Sequence, residues 1–254
     1  MFRPRIIPVL LLKGQGLVKS ERFGKYRYIG DPINAVKIFN DLEADELVFM
    51  DIEASKQGRC ISVDFVRNVG EEANMPFAVA GGIRTIGQIR EIISAGAEKV
   101  VLNTSAGLDP GFIRSAADAF GSSTIVVCLD VRKNWLGKSQ AVVMAGTKAI
   151  PFSPVEFAKL AEQNGAGELI VQSADRDGTM AGYDFGLLLE ISGAVTIPVV
   201  ALGGAGSLAD MEKAVMQSKC SAVAAGSLFV YHGERRGILI NYPSKHEKMK
   251  LITG

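Results

Sequence analysis

Cysteine is scarce and poorly placed. Cys60, Cys128 and Cys220 are the only three, and their odd number and wide spacing make neither a disulfide framework nor a zinc site. A reducing cytoplasm fits that usage. Histidine is scarcer still, with only His232 and His246, both late in the chain. Neither is assigned a ligand role, so no metal and no organic cofactor is expected. Charge of one sign is lacking too: 28 basic residues face 27 acidic ones with no clustered basic face, which leaves no footprint for nucleic acid or an anionic membrane. No apolar run is long enough to span a bilayer. The start, MFRPRIIPVLLLKGQG, has a short apolar run before Lys13 and no small-residue cleavage site, so it reads as a strand rather than a signal peptide. Small molecules and other proteins are the partners left.

What the chain does have is a 48% hydrophobic content over 254 residues, enough for a large core. Short runs rich in Val, Ile and Leu recur at 6–12, 47–52, 77–80, 100–102, 125–131, 169–172, 199–202 and 222–225. Nearly all apolar, they read as strands buried on both faces. Helix starts lie between them. Asp31-Pro32 and Asp109-Pro110 set a capping acid before a first-turn proline, and Thr85 with Gln88 and Ser153 with Glu156 form capping boxes. Ile33, Val36 and Phe39 line one side of the first helix, and Gly96, Gly121 and Gly165 mark helix ends. Strand and helix alternating eight times predicts a closed (β/α)8 TIM barrel.

An internal repeat supports this. ADELVF at 44–49 matches AGELIV at 166–171, 122 residues on, and Gly81-Gly82 matches Gly203-Gly204 at the same offset. The expectation is a single domain over 1–254, with half-barrel repeats of about 1–122 and 123–245 and a short C-terminal tail.

In such a barrel the residues ending each strand carry the chemistry. Gly81-Gly82, Asn103-Thr104, Gly203-Gly204 and Gly226-Ser227 are either tight turns or phosphate cradles of bare backbone amides. Their pairing by the repeat points to a ligand with a phosphate at each end. Asp175-Arg-Asp-Gly-Thr179 adds two carboxylates, with a self-capping Asx loop as the simpler alternative. Residues 13–30 read as a long polar connection carrying Lys19, Arg22, Lys25 and Arg27 among Phe23, Tyr26 and Tyr28, either a lid, for which the length is common, or a merely solvated loop. At the other mouth Arg5, Glu46, Lys99 and Glu168 each precede an apolar run. They can pair as an electrostatic plug sealing the floor.

RIIP at 5–8, GDP at 30–32, ADELVF at 44–49, GGIR at 81–84, DRDGT at 175–179 and GGAG at 203–206 together resemble the cyclase subunit family of imidazole glycerol phosphate synthase, over nearly the whole chain. The resemblance implies a partner glutaminase that releases ammonia into the barrel floor, with Arg5, Glu46, Lys99 and Glu168 as the ammonia gate and Glu98 in docking. It implies phosphate or substrate binding at Gly82, Asn103 and Thr104 on one side, and at Asp177, Gly178, Gly203, Gly204, Gly226 and Ser227 on the other. Lys19 matches the family's lid-loop lysine. The family's catalytic pair is an aspartate on strand one and another on strand five. Asp130 matches the second, and Leu11 stands where the first belongs. A positioned acid or base contributes about 10²- to 10⁴-fold in rate, so this exchange bears directly on ring closure. Asp51 and Asp175 are the candidate substitutes.

LLLK at 10–13, with Phe229-Val-Tyr-His-Gly233 and Leu239-Ile-Asn-Tyr-Pro243, is similar to the acetamidino-modification branch of the family. Those barrels work with a paired glutaminase and a separate sugar amidotransferase to convert an acetamido sugar of surface polysaccharide. Three functions follow as expectations: an ammonia-delivering synthase for amidine formation, a histidine-pathway cyclase with a displaced base, and a non-catalytic ammonia conduit or scaffold. A sugar nucleotide gives no reason for a cradle on each side, whereas a bisphosphate does.

Overall fold

A computed structural model describes residues 4–233 and 235–253, with side chains through 249. Residues 1–3, 234 and 254, which the domain reading includes, lie outside the described residues. The elements in chain order are β1 (Arg5–Lys13), β2 (Gly16–Glu21), β3 (Gly24–Gly30), α1 (Pro32–Asp41), β4 (Leu47–Asp51), α2 (Val63–Glu72), β5 (Phe77–Ala80), α3 (Ile86–Ser94), β6 (Lys99–Leu102), α4 (Thr104–Leu108), α5 (Gly111–Phe120), β7 (Ile125–Lys133), β8 (Ser139–Val143), β9 (Lys148–Ala149), α6 (Pro154–Gln163), β10 (Glu168–Ser173), α7 (Phe185–Ser192), β11 (Val199–Leu202), α8 (Leu208–Ser218), β12 (Ala222–Ala225), β13 (Tyr231–His232), β14 (Gly237–Ile238) and α9 (Lys245–Thr253). Eight strands pair in parallel in the order β10-β11-β12-β1-β4-β5-β6-β7, and the β10–β7 ladder closes the ring. This is the expected (β/α)8 TIM barrel.

The two-residue period of a strand decides what each position does. Ile7, Val9 and Leu11 point inward with Val48, Met50, Val101, Val126, Cys128 and Ile170. Ile6, Leu10, Leu12, Phe49, Val127 and Leu129 point outward, where they pack beneath the helices. The same alternation carries Arg5, Glu46, Lys99 and Glu168 inward at the floor, and Asp130 and Gln172 inward at the rim. One pattern therefore fixes a polar floor, an apolar middle and a polar rim.

The helix signals hold with one shift. Asp31 accepts from the Asn34 N–H, and both expected capping boxes are formed. At the third site α5 starts one residue late: Pro110 is the N-cap, and Asp109 instead ends α4 while its carboxylate accepts from Gly111 N. The cause is α4 itself, an unforeseen turn of helix after β6 that uses Asp109 as its stop.

The larger correction concerns residues 13–30. They are not an open polar connection but the hairpin β2–β3, whose first strand pairs with β1. Leu17, Val18, Lys19 and Ser20 are buried, while Lys25, Tyr26, Arg27 and Tyr28 are exposed. Because the pairing edge of β1 supplies hydrogen bonds, β2 needs no polar face, and its charged residue reads as loop composition only when considered alone. A second hairpin strand, β8, extends β7 in the same way.

Candidate functional site

At the floor the four charges form one ring. Arg5 binds Glu46 and Glu168, and Lys99 reaches the same two carboxylates at 3.2 and 3.1 Å. Glu46 and Glu168 are 4% and 7% exposed, so each carboxylate is held between two cations rather than solvated. Glu98 is exposed immediately beside this ring. Tyr242 braces the ring from outside: its hydroxyl donates to Ile6 O at 2.8 Å and accepts from Asp45 N at 3.0 Å. Lys248, itself buried, donates to Asp45 Oδ1 and Glu43 O.

At the rim two clefts flank the barrel axis. The first, about 330 Å³ in volume, is lined by Asp51, Gly82, Asn103, Thr104, Asp130 and Gln172 among others. The second, about 30 Å³, is lined by Lys19, Asp177, Gly178, Gly203, Gly204, Gly226 and Ser227. Leu11, Ser20 and Gln172 line both. The glycine pairs, Asn103, Thr104, Ser227, Lys19, Asp177 and Gly178 thus border one of two adjacent spaces, with Leu11 on their common wall, whereas Asp175, Arg176 and Thr179 line neither. Asp175 instead accepts from Lys133 N at 2.8 Å, half-exposed beside Arg132. Asp51 accepts from Arg59 at 3.2 Å and from the N–H groups of Glu53 and Ala54.

The glycines earn their places by close approach. A Cβ on Gly82 would lie 1.9 Å from Arg59 O, and one on Gly178 2.0 Å from Ser20 O; both have positive φ, +62° and +69°. At each the chain passes closer than any side chain permits.

Asp177 is a fastener. Its carboxylate accepts from Ser20 Oγ at 2.6 Å and Phe23 N at 3.4 Å, and its carbonyl accepts from Arg22 N at 2.9 Å. Arg22 and Phe23, which turn the hairpin, both adopt positive φ, a conformation that bulky residues hold only when neighbours over-determine it. Burial raises the Asp177 carboxyl above its ordinary value, against the hydrogen bond from Ser20. Lys19 lies fully enclosed with Nζ on Val9 O at 2.6 Å. Burial lowers its ammonium to about 8, partly opposed by Asp177. The Asp130 carboxyl is pushed up to about 7 by burial, with the Cys128 thiol opposing and Asp177 adding to the rise. A buried group near 7 exchanges protons readily at neutral pH.

The chain matches the model of the histidine biosynthesis protein family over residues 5–236. It belongs to that family. Within the histidine biosynthesis family it is 45% identical over 243 residues to a Pseudomonas aeruginosa protein provisionally named imidazole glycerol phosphate synthase subunit hisF2, covering 96% of this chain and 97% of that one. A Leptospira interrogans protein, provisionally named subunit HisF of the same synthase, is 42% identical over 253 residues, 99% of this chain and 100% of that one. An Alkaliphilus metalliredigens protein named imidazole glycerol phosphate synthase subunit HisF is 41% identical over 232 residues, 91% and 92% of the two chains. The barrel is therefore cyclase-like.

Sequence reasoning missed Gln172, Cys128 and Arg59 in this family site. Gln172 ends a predicted strand on the inward register and was legible there, but an amide carries no charge to draw attention. Arg59 lies in the turn after β4, where nothing in its neighbours marks it. Among the described residues no cluster of His, Cys, Asp and Glu is placed to hold a metal, and no helix is long and apolar enough to cross a membrane.

Proposed function

We propose that this chain is the synthase barrel of an ammonia-transferring complex. A partner glutaminase docks at the floor beside Glu98 and supplies ammonia through the ring of Arg5, Glu46, Lys99 and Glu168. The ammonia leaves at the rim, where a separate sugar amidotransferase uses it to convert an acetamido sugar of surface polysaccharide to its acetamidino form. One observation carries the reading: Leu11 faces the mouth four strands from Asp130 by either path around the barrel, so the acid pair that ring closure requires is reduced to one member while the floor ring is complete.

Support for the floor comes from its chemistry. Four charges paired in alternation shut the barrel to water, yet each is a side chain that can swing to admit a neutral molecule. The interior above them is lined by Ile7, Val9, Val48, Val126 and Ile170, which gives ammonium no counter-charge and ammonia no obstacle of charge. Asp130 contributes a group able to take or give a proton near neutral pH.

The test is association. Purified barrel and its cognate glutaminase should form a complex in which glutamine hydrolysis is stimulated; two proteins that neither associate nor alter hydrolysis rule the reading out. Amidine formation in the three-protein mixture should fall in Asp130→Asn, whereas a passive conduit would be unaffected.

A second reading, a histidine-pathway cyclase with a displaced base, is favoured by the two clefts meeting at Leu11, which suit a ligand with an anionic group at each end. Asp51 lines the same cleft as Leu11 and is its nearest substitute, although Arg59 occupies it. Ammonia-dependent turnover of the family's bisphosphate separates the two. Appreciable turnover by the parent supports the cyclase; turnover appearing only in Leu11→Asp supports lost chemistry.

A further inference from the structure

The two most exposed large apolar side chains among the described residues are neighbours. β7 leaves the barrel ladder after Val131 and continues as a hairpin with β8, and the turn between them carries Trp135, 90% exposed, and Leu136, 68% exposed. The turn is firmly built. Asn134 N donates to Lys138 O and Gly137 N donates to Asn134 O, both at 2.9 Å, while Asn134 Oδ1 accepts from Leu136 N and Lys138 N at 3.0 Å. Fixed backbone therefore holds an indole and an isobutyl group out in water. A rigid aromatic anchor loses little entropy on binding, and tryptophan is prominent among the side chains that carry interface energy.

The charge around this tip has one sign. From Val131 to Val155 the chain has four cations, Arg132, Lys133, Lys138 and Lys148, and no acid. Arg132 is engaged by Gly146 O and Asp175. The three lysines are exposed and stand in no salt bridge among the described residues, Glu156 feeling Lys138 only through space. The whole molecule is nearly neutral, with 28 basic and 27 acidic residues, so it has little pull toward an extended anionic sheet such as a membrane. Screening limits the lysines to about 8–10 Å of reach, which matches a discrete acidic patch. Two copies meeting tip to tip about a two-fold axis would set these cations against their own kind. What fits is another protein, with an apolar socket rimmed by carboxylates that the lysines steer into place. Position says which protein. Met144 and Ala145, in the turn after β8, wall the first cleft together with Phe23 and Tyr26, so whatever grips the tip lies over the mouth. Ammonia released into open water takes a proton and ceases to be a nucleophile, so its consumer must cover that same mouth.

We propose that the tip between β7 and β8 is the docking surface for the protein that consumes the ammonia, with Trp135 and Leu136 entering an apolar socket whose rim offers carboxylates to Lys133, Lys138 and Lys148. The proposal rests on the ammonia-transfer reading and names the surface that its second partner grips. The tip is tied to the cleft wall: the Arg132 guanidinium donates to Gly146 O at 2.9 Å and lies 5.8 Å from the Phe23 ring. A partner seated on Trp135 is thereby held in register with the space from which the ammonia leaves.

The test uses the full chain labelled with 5-fluorotryptophan, which gives one fluorine resonance because Trp135 is the only tryptophan. Adding the cognate glutaminase should leave that resonance in place, and adding the sugar amidotransferase to the pair should shift and broaden it. Trp135→Ala should weaken amidotransferase binding about thirtyfold, the scale of a hot-spot truncation. Lys133→Glu combined with Lys138→Glu should slow association and remove most of its salt dependence. Both variants should keep the parent's thermal midpoint and its stimulation of the glutaminase. A resonance that the amidotransferase does not move overturns the proposal, as does parent-like affinity in Trp135→Ala. So does a shift produced by vesicles of phosphatidylglycerol and phosphatidylcholine, or by barrel concentration alone, which would give the tip to lipid or to a second copy. Stimulation of the glutaminase is scored separately on the same preparations: its loss sinks the ammonia-transfer reading whatever the tip does, and its presence beside an unmoved resonance leaves that reading standing.

Discussion

A carboxyl that is neutral when buried links the stability of the barrel to pH. Asp130 has a folded value of about 7 against an ordinary 3.8. Its contribution is fully present below the ordinary value and is lost as pH rises through 7, with a slope of at most about 1.4 kcal/mol per pH unit between the two. Asp130→Asn removes that loss. The variant should gain stability on the parent between pH 5 and 8, read from urea midpoints at both; equal shifts in the two proteins would show that Asp130 is not the group responsible. Lys19 runs the other way. Its value is lowered to about 8, so its contribution is present above 10.5 and lost as pH falls through 8, where the enclosed ammonium becomes charged. Lys19→Met should therefore be more stable than the parent at pH 7 yet lose its thermal shift with glycerol phosphate, since the second cleft would have no cation to offer. An unchanged shift would move the phosphate contact to the backbone alone.

At the level of elements, the clearest dependence is that of the β2–β3 hairpin on the turn after β10. A Cβ on Gly178 would lie 2.0 Å from Ser20 O, so Gly178→Ala must push the hairpin off the turn and release Asp177 from Ser20 and Phe23. Hydrogen exchange across residues 16–30 should rise in this variant while β4 to β6 stay protected; uniform protection would mean that the hairpin is held by β1 alone. The eight barrel strands were legible because burial on both faces writes continuous Val, Ile and Leu runs, and the floor ring was legible because each charge stands one step before a run. The hairpin was not. Leu17 to Ser20 alternate too briefly, and Lys19 is buried by the partner turn around Asp177, a contact more than 150 residues away in sequence. The short helix α4 was hidden for a related reason: Asn103 caps it with no side-chain bond, so it leaves no sequence mark. Leu11 and Asp130 needed only their place at strand ends, whereas Gln172 needed the register between β10 and β7.

The molecule as a whole is arranged along the barrel axis, with charge at the floor, hydrocarbon in the middle and polar groups at the rim. The floor ring has strict alternation, so removing one member leaves charge unbalanced. Lys99→Met should lower stability by about 3 kcal/mol, the scale for stranding a buried partner, and should cost more than that in an Arg5→Met background, because the two cations share both carboxylates and neither carboxylate then keeps a cation. Strict additivity in the four urea midpoints would deny that the ring acts as a unit. The brace outside it has its own outcome. Tyr242 spans 236 residues of sequence to hold Ile6, so a nascent chain emerging from the ribosome has its first strand long before the hydroxyl that steadies it. The brace beside the floor ring is thus among the last joints to set during synthesis, and a barrel interrupted before Tyr242 is made would have a complete upper half above a loose base.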